Sequence, residues 1–187
     1  MQWNNISADN PRSFICGHCG SDIVSEKAFT SNTAARIFIC HKCSKPNFFD
    51  QNGMQTPGSA FGDKVENISD NLVSELYEEA RQCMSASAYT AAILCCRKLL
   101  MHIAVSMKAK EGQSFVYYVE FLSENNYIPP GAKNWVDQIR EKGNEANHEI
   151  VLMKKEDAEE LLSFIGMLLK IIYEFPARIK KKGETTV

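Results

Sequence analysis

Residues 93–104, ILCCRKLLMHIA, form an almost unbroken apolar run with a basic pair, Arg97 and Lys98, near the middle. The run lies within Ala86–Lys110, a stretch without glycine or proline and rich in good helix formers. A helix that is apolar on most faces must be surrounded by other helices. The pattern therefore predicts a central helix in a helical domain.

The flanking periodicity supplies its neighbours. Ser69 is placed to cap a helix carrying Leu72, Leu76, Ala80 and Cys83 on one face. The central helix is expected to end at Gly112. Ser114 can cap a third helix with Phe115, Tyr118, Val119 and Leu122 inward. Pro130 suits the first turn of a fourth, which shows Trp135, Val136 and Ile139 before Gly143. A last helix starts near Lys155, with Glu156, Asp157, Glu159 and Glu160 at the positive end of its dipole. It is expected to stop at Pro176, leaving a frayed basic tail.

The N-terminal part has a different rhythm. DIVSEKAF and AARIFIC alternate as short strands around a turn at Thr30–Thr33. They lie between two CxxC pairs, Cys16 with Cys19 and Cys40 with Cys43, separated by twenty residues. Each pair lets two thiolates converge on one ion, and two pairs close a tetrahedral site, so the spacing predicts a zinc ribbon. His18 and His41 lie inside the knuckles, but four cysteines already satisfy the ion. Four thiolates leave no open position, so the expected Zn2+ is structural. A redox CxxC would need a single pair beside a βαβ pattern, which is not seen.

Composition changes this picture little. Hydrophobic residues make up 44% and charged residues 24%, ordinary for a globular chain. The net charge of −2 provides no global field for nucleic acid, so any such contact needs a local patch. The ribbon carries Lys27, Arg36, Lys42 and Lys45 against Asp22 and Glu26, a mildly basic balance. MQWNNISADNPRSFI has no signal-peptide pattern, and LLSFIGMLLKIIY, broken by Lys170, is too short to span a membrane. Four of seven cysteines are in CxxC pairs, which fits metal ligation in a reducing, cytoplasmic setting and no membrane partner. Cys83, Cys95 and Cys96 read as small core residues, and His102 as a packed helix residue.

REKGNEANH, residues 140–148, holds the candidate chemistry. Arg140, Asn144 and His148 recur every four residues, each about 40° from the last on a continuous helix. Arg140 could stabilise the charge of a phosphodiester transition state, and His148 could move a proton while a ribose 2′-hydroxyl attacks. Alternatively, Gly143 ends the helix, and Asn144 and His148 satisfy loop backbone. Arg97 likewise has two readings: a cation packed at the rim of the buried face, or a phosphate- or ligand-binding group.

YEEARQCMSASAYTAAILCCRKLL, IREKGNEANHE and DAEELLSFIGMLLKIIYEFPARI together resemble an uncharacterised bacterial family of the HEPN (higher eukaryotes and prokaryotes nucleotide-binding) superfamily. The resemblance implies a compact helical bundle, and some members carry a zinc ribbon ahead of it. Many HEPN proteins are metal-independent ribonucleases, often of antiviral or toxin–antitoxin systems, whose site, an Arg followed by a His, forms between two protomers. Carried onto this chain, these residues are Arg140 and His148. Seven residues separate them here, more than the family pattern, and Glu141 follows the arginine. Other HEPN domains are non-catalytic dimerisation, adaptor or nucleotide-sensing modules.

The expected architecture is mainly α: a four-to-five-helix HEPN-like bundle preceded by a small β zinc ribbon. The expected boundaries are residues 1–50 for the ribbon, 51–68 for a linker, 69–180 for the bundle and 181–187 for a basic tail. The protein is expected to be a cytoplasmic homodimer with an RNA or a protein partner. It either acts on or binds RNA, as a metal-independent endoribonuclease in bacterial–viral conflict, or serves as a non-catalytic adaptor.

Overall fold

A computed structural model of the chain describes residues 7–129 and 152–184, with side chains as far as residue 180. The chain divides into two compact units. Of the described residues, the first holds 7–61 and 85–87, and the second holds 62–84, 88–129 and 152–184.

The first unit is a five-stranded antiparallel sheet in sequential order. Its strands are β1 (Ser7–Ile15), β2 (Asp22–Thr30), β3 (Arg36–Ile39), β4 (Pro46–Phe49) and β5 (Gln55–Thr56). Phe14, Phe38 and Phe49 form a triangle with centroids 5.2–5.7 Å apart, packed on Ala28. Such pairs add about 0.5–1.5 kcal/mol each beyond their burial, a large share for so small a core.

The expectation of a mainly α chain does not hold. The chain is mixed α and β, with 18% strand beside 45% helix. The difference comes from β1, β4 and β5. β1 is exposed or half-buried throughout, so it shows no alternation of apolar and polar positions, and it pairs with β2 across a bulge between Ala8 and Arg12. β5 falls in the stretch whose composition suggests a linker. Asp50 Oδ1 accepts from the backbone of Asn52 and Met54, and Gly53 takes φ +82°. The Asp/Asn/Gly cluster is thus a hairpin turn joining β4 to β5.

The second unit comprises, among its described residues, α1 (Asn71–Ser85), α2 (Tyr89–Ser106), α3 (Phe115–Glu124), α4 (Lys155–Leu169) and α5 (Phe175–Glu184). α2 is the central helix that its apolar run predicts, packing against α3 and α4 and burying Ile93, Cys96, Leu99, Leu100 and Ile103. It is also the one described helix with the length and hydropathy of a membrane span, and 44% of it is buried inside the protein. α3 is capped by Ser114, whose hydroxyl accepts from Tyr117 N–H, and it buries the four residues expected.

Three details depart from the pattern. Asp70, not Ser69, caps α1, and the buried stripe is Val73, Tyr77, Ala80 and Met84, while Leu72 is exposed. α2 ends six residues before Gly112: Lys108 and Ala109 donate to Val105 and Ala104 with Lys108 at φ +79°, a Schellman closure. Pro176 does not end the last helix. Lys170–Glu174 form a π turn in which Phe175 N–H reaches Lys170, and α5 continues through Pro176. The wider turn lets the helix restart with proline in its first turn, where its missing donor costs nothing.

Candidate metal centre and a buried arginine

The four cysteines converge. Their sulfur atoms all lie within 4.8 Å of one another, and Cys16–Cys43 and Cys19–Cys40 are each 3.7 Å apart. Metal–thiolate bonds of about 2.3 Å in a tetrahedron give edges of about 3.8 Å, so the spacing fits a single four-coordinate ion.

Two similar turns build it. In the first knuckle Gly20 N–H donates to Cys16 O and Cys16 N–H to Ser21 O; in the second Ser44 N–H donates to Cys40 O and Cys40 N–H to Lys45 O. Both turns close on a left-handed residue, Gly20 at φ +68° and Ser44 at φ +57°. Gly17 has a separate reason: a Cβ there would lie 2.2 Å from Pro57 O.

Asn47, which sequence reasoning missed, supports this arrangement. It is fully buried on β4 opposite Phe38. Its amide oxygen accepts from Gly17 N–H at 2.9 Å and from Gln55, while its amide nitrogen approaches Cys16 Sγ at 3.5 Å and donates to Lys45 O. His18 N–H points at the same sulfur, 3.4 Å away. These donors offset thiolate charge and fix the ligand's direction. One sequence cue existed: Asn47 occupies an inward position in an otherwise apolar strand.

Four sulfurs this close cannot all ionise without a cation. The Ser21 hydroxyl beside Cys19 is the main cause holding that thiol down at about 6, whereas burial pushes Cys43 up to about 12. A bound ion would supply the charge that lets all four ligate. Cys16 and Cys40 are fully buried, which suits a structural centre.

Arg97 is the second notable group. It is only 4% exposed on α2, with its guanidinium carbon 4.1 Å above the Phe115 ring. Its Nη1 is buried with no hydrogen-bond partner among the described residues. Burial lowers its pKa. The reading of Arg97 as a cation at the rim of the buried face, its head in water or paired to an acid, does not fit this placement. His102 is half-exposed and 3.2 Å from Asp70, so it is a surface pair rather than a packed residue. Arg140, Asn144 and His148 lie outside the described residues.

A small antiparallel sheet with four cysteines placed to hold one metal ion, together with a helical unit, defines a mixed α and β protein of two units. The model of a domain of unknown function, DUF4145, matches residues 78–184, more than half of the chain, and the protein belongs to that family. No curated protein and no solved structure matches it.

Proposed function

We propose that this protein is a cytoplasmic, non-catalytic adaptor: a structural Zn2+ ribbon that binds a protein partner, joined to an HEPN-like helical unit that dimerises. Zinc is the ion favoured by a closed set of four thiolates. The observation that carries the adaptor reading is the state of the ribbon's arginines and sheet surface. Arg36 is engaged by Asp9 at 2.5 Å. Arg12 stacks over Phe49 at 4.0 Å and donates to Gly53 O. Neither guanidinium is left as an open phosphate clamp. Ile15, Val24 and Phe48 are exposed on the strands instead, the apolar character that protein interfaces bury.

A second reading keeps the RNA-directed function, a metal-independent endoribonuclease of HEPN type. It rests on Arg140, Asn144 and His148 and on the resemblance that frames them.

One comparison separates the two. Wild-type protein with full zinc content is incubated with RNA in a magnesium chelator too weak to strip thiolate-bound metal, beside Arg140→Ala and His148→Ala. In parallel, Phe48→Glu and wild type are used to capture cross-linked partners from native extract, and oligomeric state is measured by sedimentation. No cleavage, a dimer, and a defined protein captured by wild type but not by Phe48→Glu support the adaptor. Cleavage abolished by both substitutions overturns it in favour of the ribonuclease.

A further inference from the structure

Charged side chains are rarely buried without a counter-charge, because desolvation is costly and only a partner offsets it. Arg97 is such a case. Its guanidinium lies over an aromatic face, and its buried Nη1 has no hydrogen-bond partner among the described residues. Stacking holds the guanidinium plane in place but replaces only part of the lost hydration.

Arg97 forms part of the wall of a cleft of about 440 Å3 in the helical unit. The cleft is open to solvent and has room for a small molecule lying against its wall. Its surface is divided by chemistry. Leu94, Met101 and Val105 of α2 and Tyr118 of α3 make it largely apolar, and Lys98 adds a second cation beside Arg97. Glu111 is the one acid among the lining residues. His102, also at the edge, is taken by Asp70. The tyrosine is held in position because its hydroxyl accepts from Gln113 N–H at 3.1 Å.

We propose that this cleft binds a small molecule combining an oxyanion, phosphate or carboxylate, with a compact apolar body. The oxyanion pairs with Arg97, whose planar fork matches two oxygens at once. The apolar body covers Leu94, Met101 and Val105. Lys98 favours the more highly charged phosphate. The lining residues belong to α2, α3 and the turn between them, and the proposal does not rest on whether the protein cleaves RNA.

The test uses the full-length, zinc-loaded protein and four probes: inorganic phosphate, acetate, phenyl phosphate and benzoate, with phenol as the uncharged control. Binding is followed by calorimetry in a chloride background. Phenyl phosphate or benzoate is expected to bind at least ~10-fold more tightly than its small counterpart, since the ring buries apolar surface. The stronger of the two pairs identifies the anion. Arg97→Met is expected to weaken that binding by ~10-fold or more, and Arg97→Lys to recover only part of it. Leu94→Trp narrows the cleft from an exposed position and leaves Arg97 in place, so it decides the matter should Arg97→Met fail to fold. Saturable binding lost in Leu94→Trp and in folded Arg97→Met supports the site. Equal binding of phenol, unchanged affinity in folded Arg97→Met, or no saturable binding at millimolar concentration overturns it.

Discussion

Asn47 shows how much of the metal centre rests on a residue that is not a ligand. It ties the first knuckle, through Gly17, to the second, through Lys45, and it faces the Cys16 sulfur. Asn47→Ala would leave Gly17 N–H without its acceptor and let Cys16 drift, while all four sulfurs remain. Metal affinity should fall ~10- to 100-fold, as expected for loss of an outer-shell partner, read by competition with a chromophoric chelator. Unchanged affinity would show that the knuckles hold their own geometry. The same titration has a predicted pH dependence. Ligation requires thiolates, so protons compete with the ion, and the thiol that burial pushes to about 12, Cys43, must lose its proton on loading. Affinity should therefore drop as pH is lowered from about 8 to 6; a flat profile would argue against thiolate ligation.

At the scale of single elements, helix ends and crossings carry the specificity. α1, α2 and α3 close with Ser87, Lys108 and Asn126 in the left-handed region, each followed by a backbone bond spanning five residues. Lysine has no reason to prefer that conformation. Lys108→Gly should raise stability by ~1 kcal/mol in urea unfolding, because glycine adopts positive φ without strain. Asp70 caps α1 and also faces His102, and the backbone N–H of Val73 is the main cause of its lowered pKa. A carboxyl depressed by folding contributes stability above its unfolded value and loses it as pH falls through the folded value. Asp70→Ala should lower the melting temperature near neutrality and flatten the acid limb, whereas Asp70→Asn should keep much of the cap. The crossing of α1 and α4 is equally particular. A Cβ on Gly166 would sit 2.8 Å from the Tyr77 hydroxyl, which is pinned by its 2.8 Å bond to Asp63 O. Alanine would gain ~1 kcal/mol of helix propensity. It would also displace a buried, hydrogen-bonded ring at ~1–3 kcal/mol. Gly166→Ala should therefore be net destabilising, and a rise in melting temperature would show that Tyr77 can move freely.

Over the whole molecule, the two units draw stability from different sources. The helical unit has its own apolar core around α2, with Leu99, Leu100, Leu162, Phe164 and Ile165 essentially inaccessible. The sheet unit has small clusters, Cys16–Ile23–Cys40 and Ala28–Phe38–Phe49. The first of these includes two of the metal ligands. A module of that size would draw much of its stability from an ion held by the four cysteines. Removing metal with a strong chelator should abolish the ordered signals of the sheet unit in hydrogen exchange, while the far-ultraviolet helical signal persists. Loss of both together would mean that the helical unit needs the ribbon in order to fold.

Several features were legible in the linear order of residues because each is local. The CxxC spacing is a property of two tight turns, and it placed Cys16, Cys19, Cys40 and Cys43 around one point. The run at 93–104 required burial on most sides, whatever the neighbours, and α2 became the centre of its unit. The cap and apolar face of α3 were read correctly for the same reason. Other features depended on partners distant in sequence. β1 became a strand only through pairing with β2, since its own side chains carry no alternation. The buried face of α1 was set by Tyr77 reaching Asp63 and Gly166, which moved the stripe one residue from Leu72. Pro176 remained helical because a π turn ahead of it reorganised the hydrogen bonds, with Glu174 anchored to Glu66 N–H and to Arg178. Arg97 was visible in sequence as a cation amid apolar residues. Its seat over Phe115, with Nη1 buried and unpartnered among the described residues, came from the packing of α2 against α3. Short-range stereochemistry determined the knuckles, caps and apolar runs; long-range pairing and burial decided which faces turned inward and which charges were left without partners.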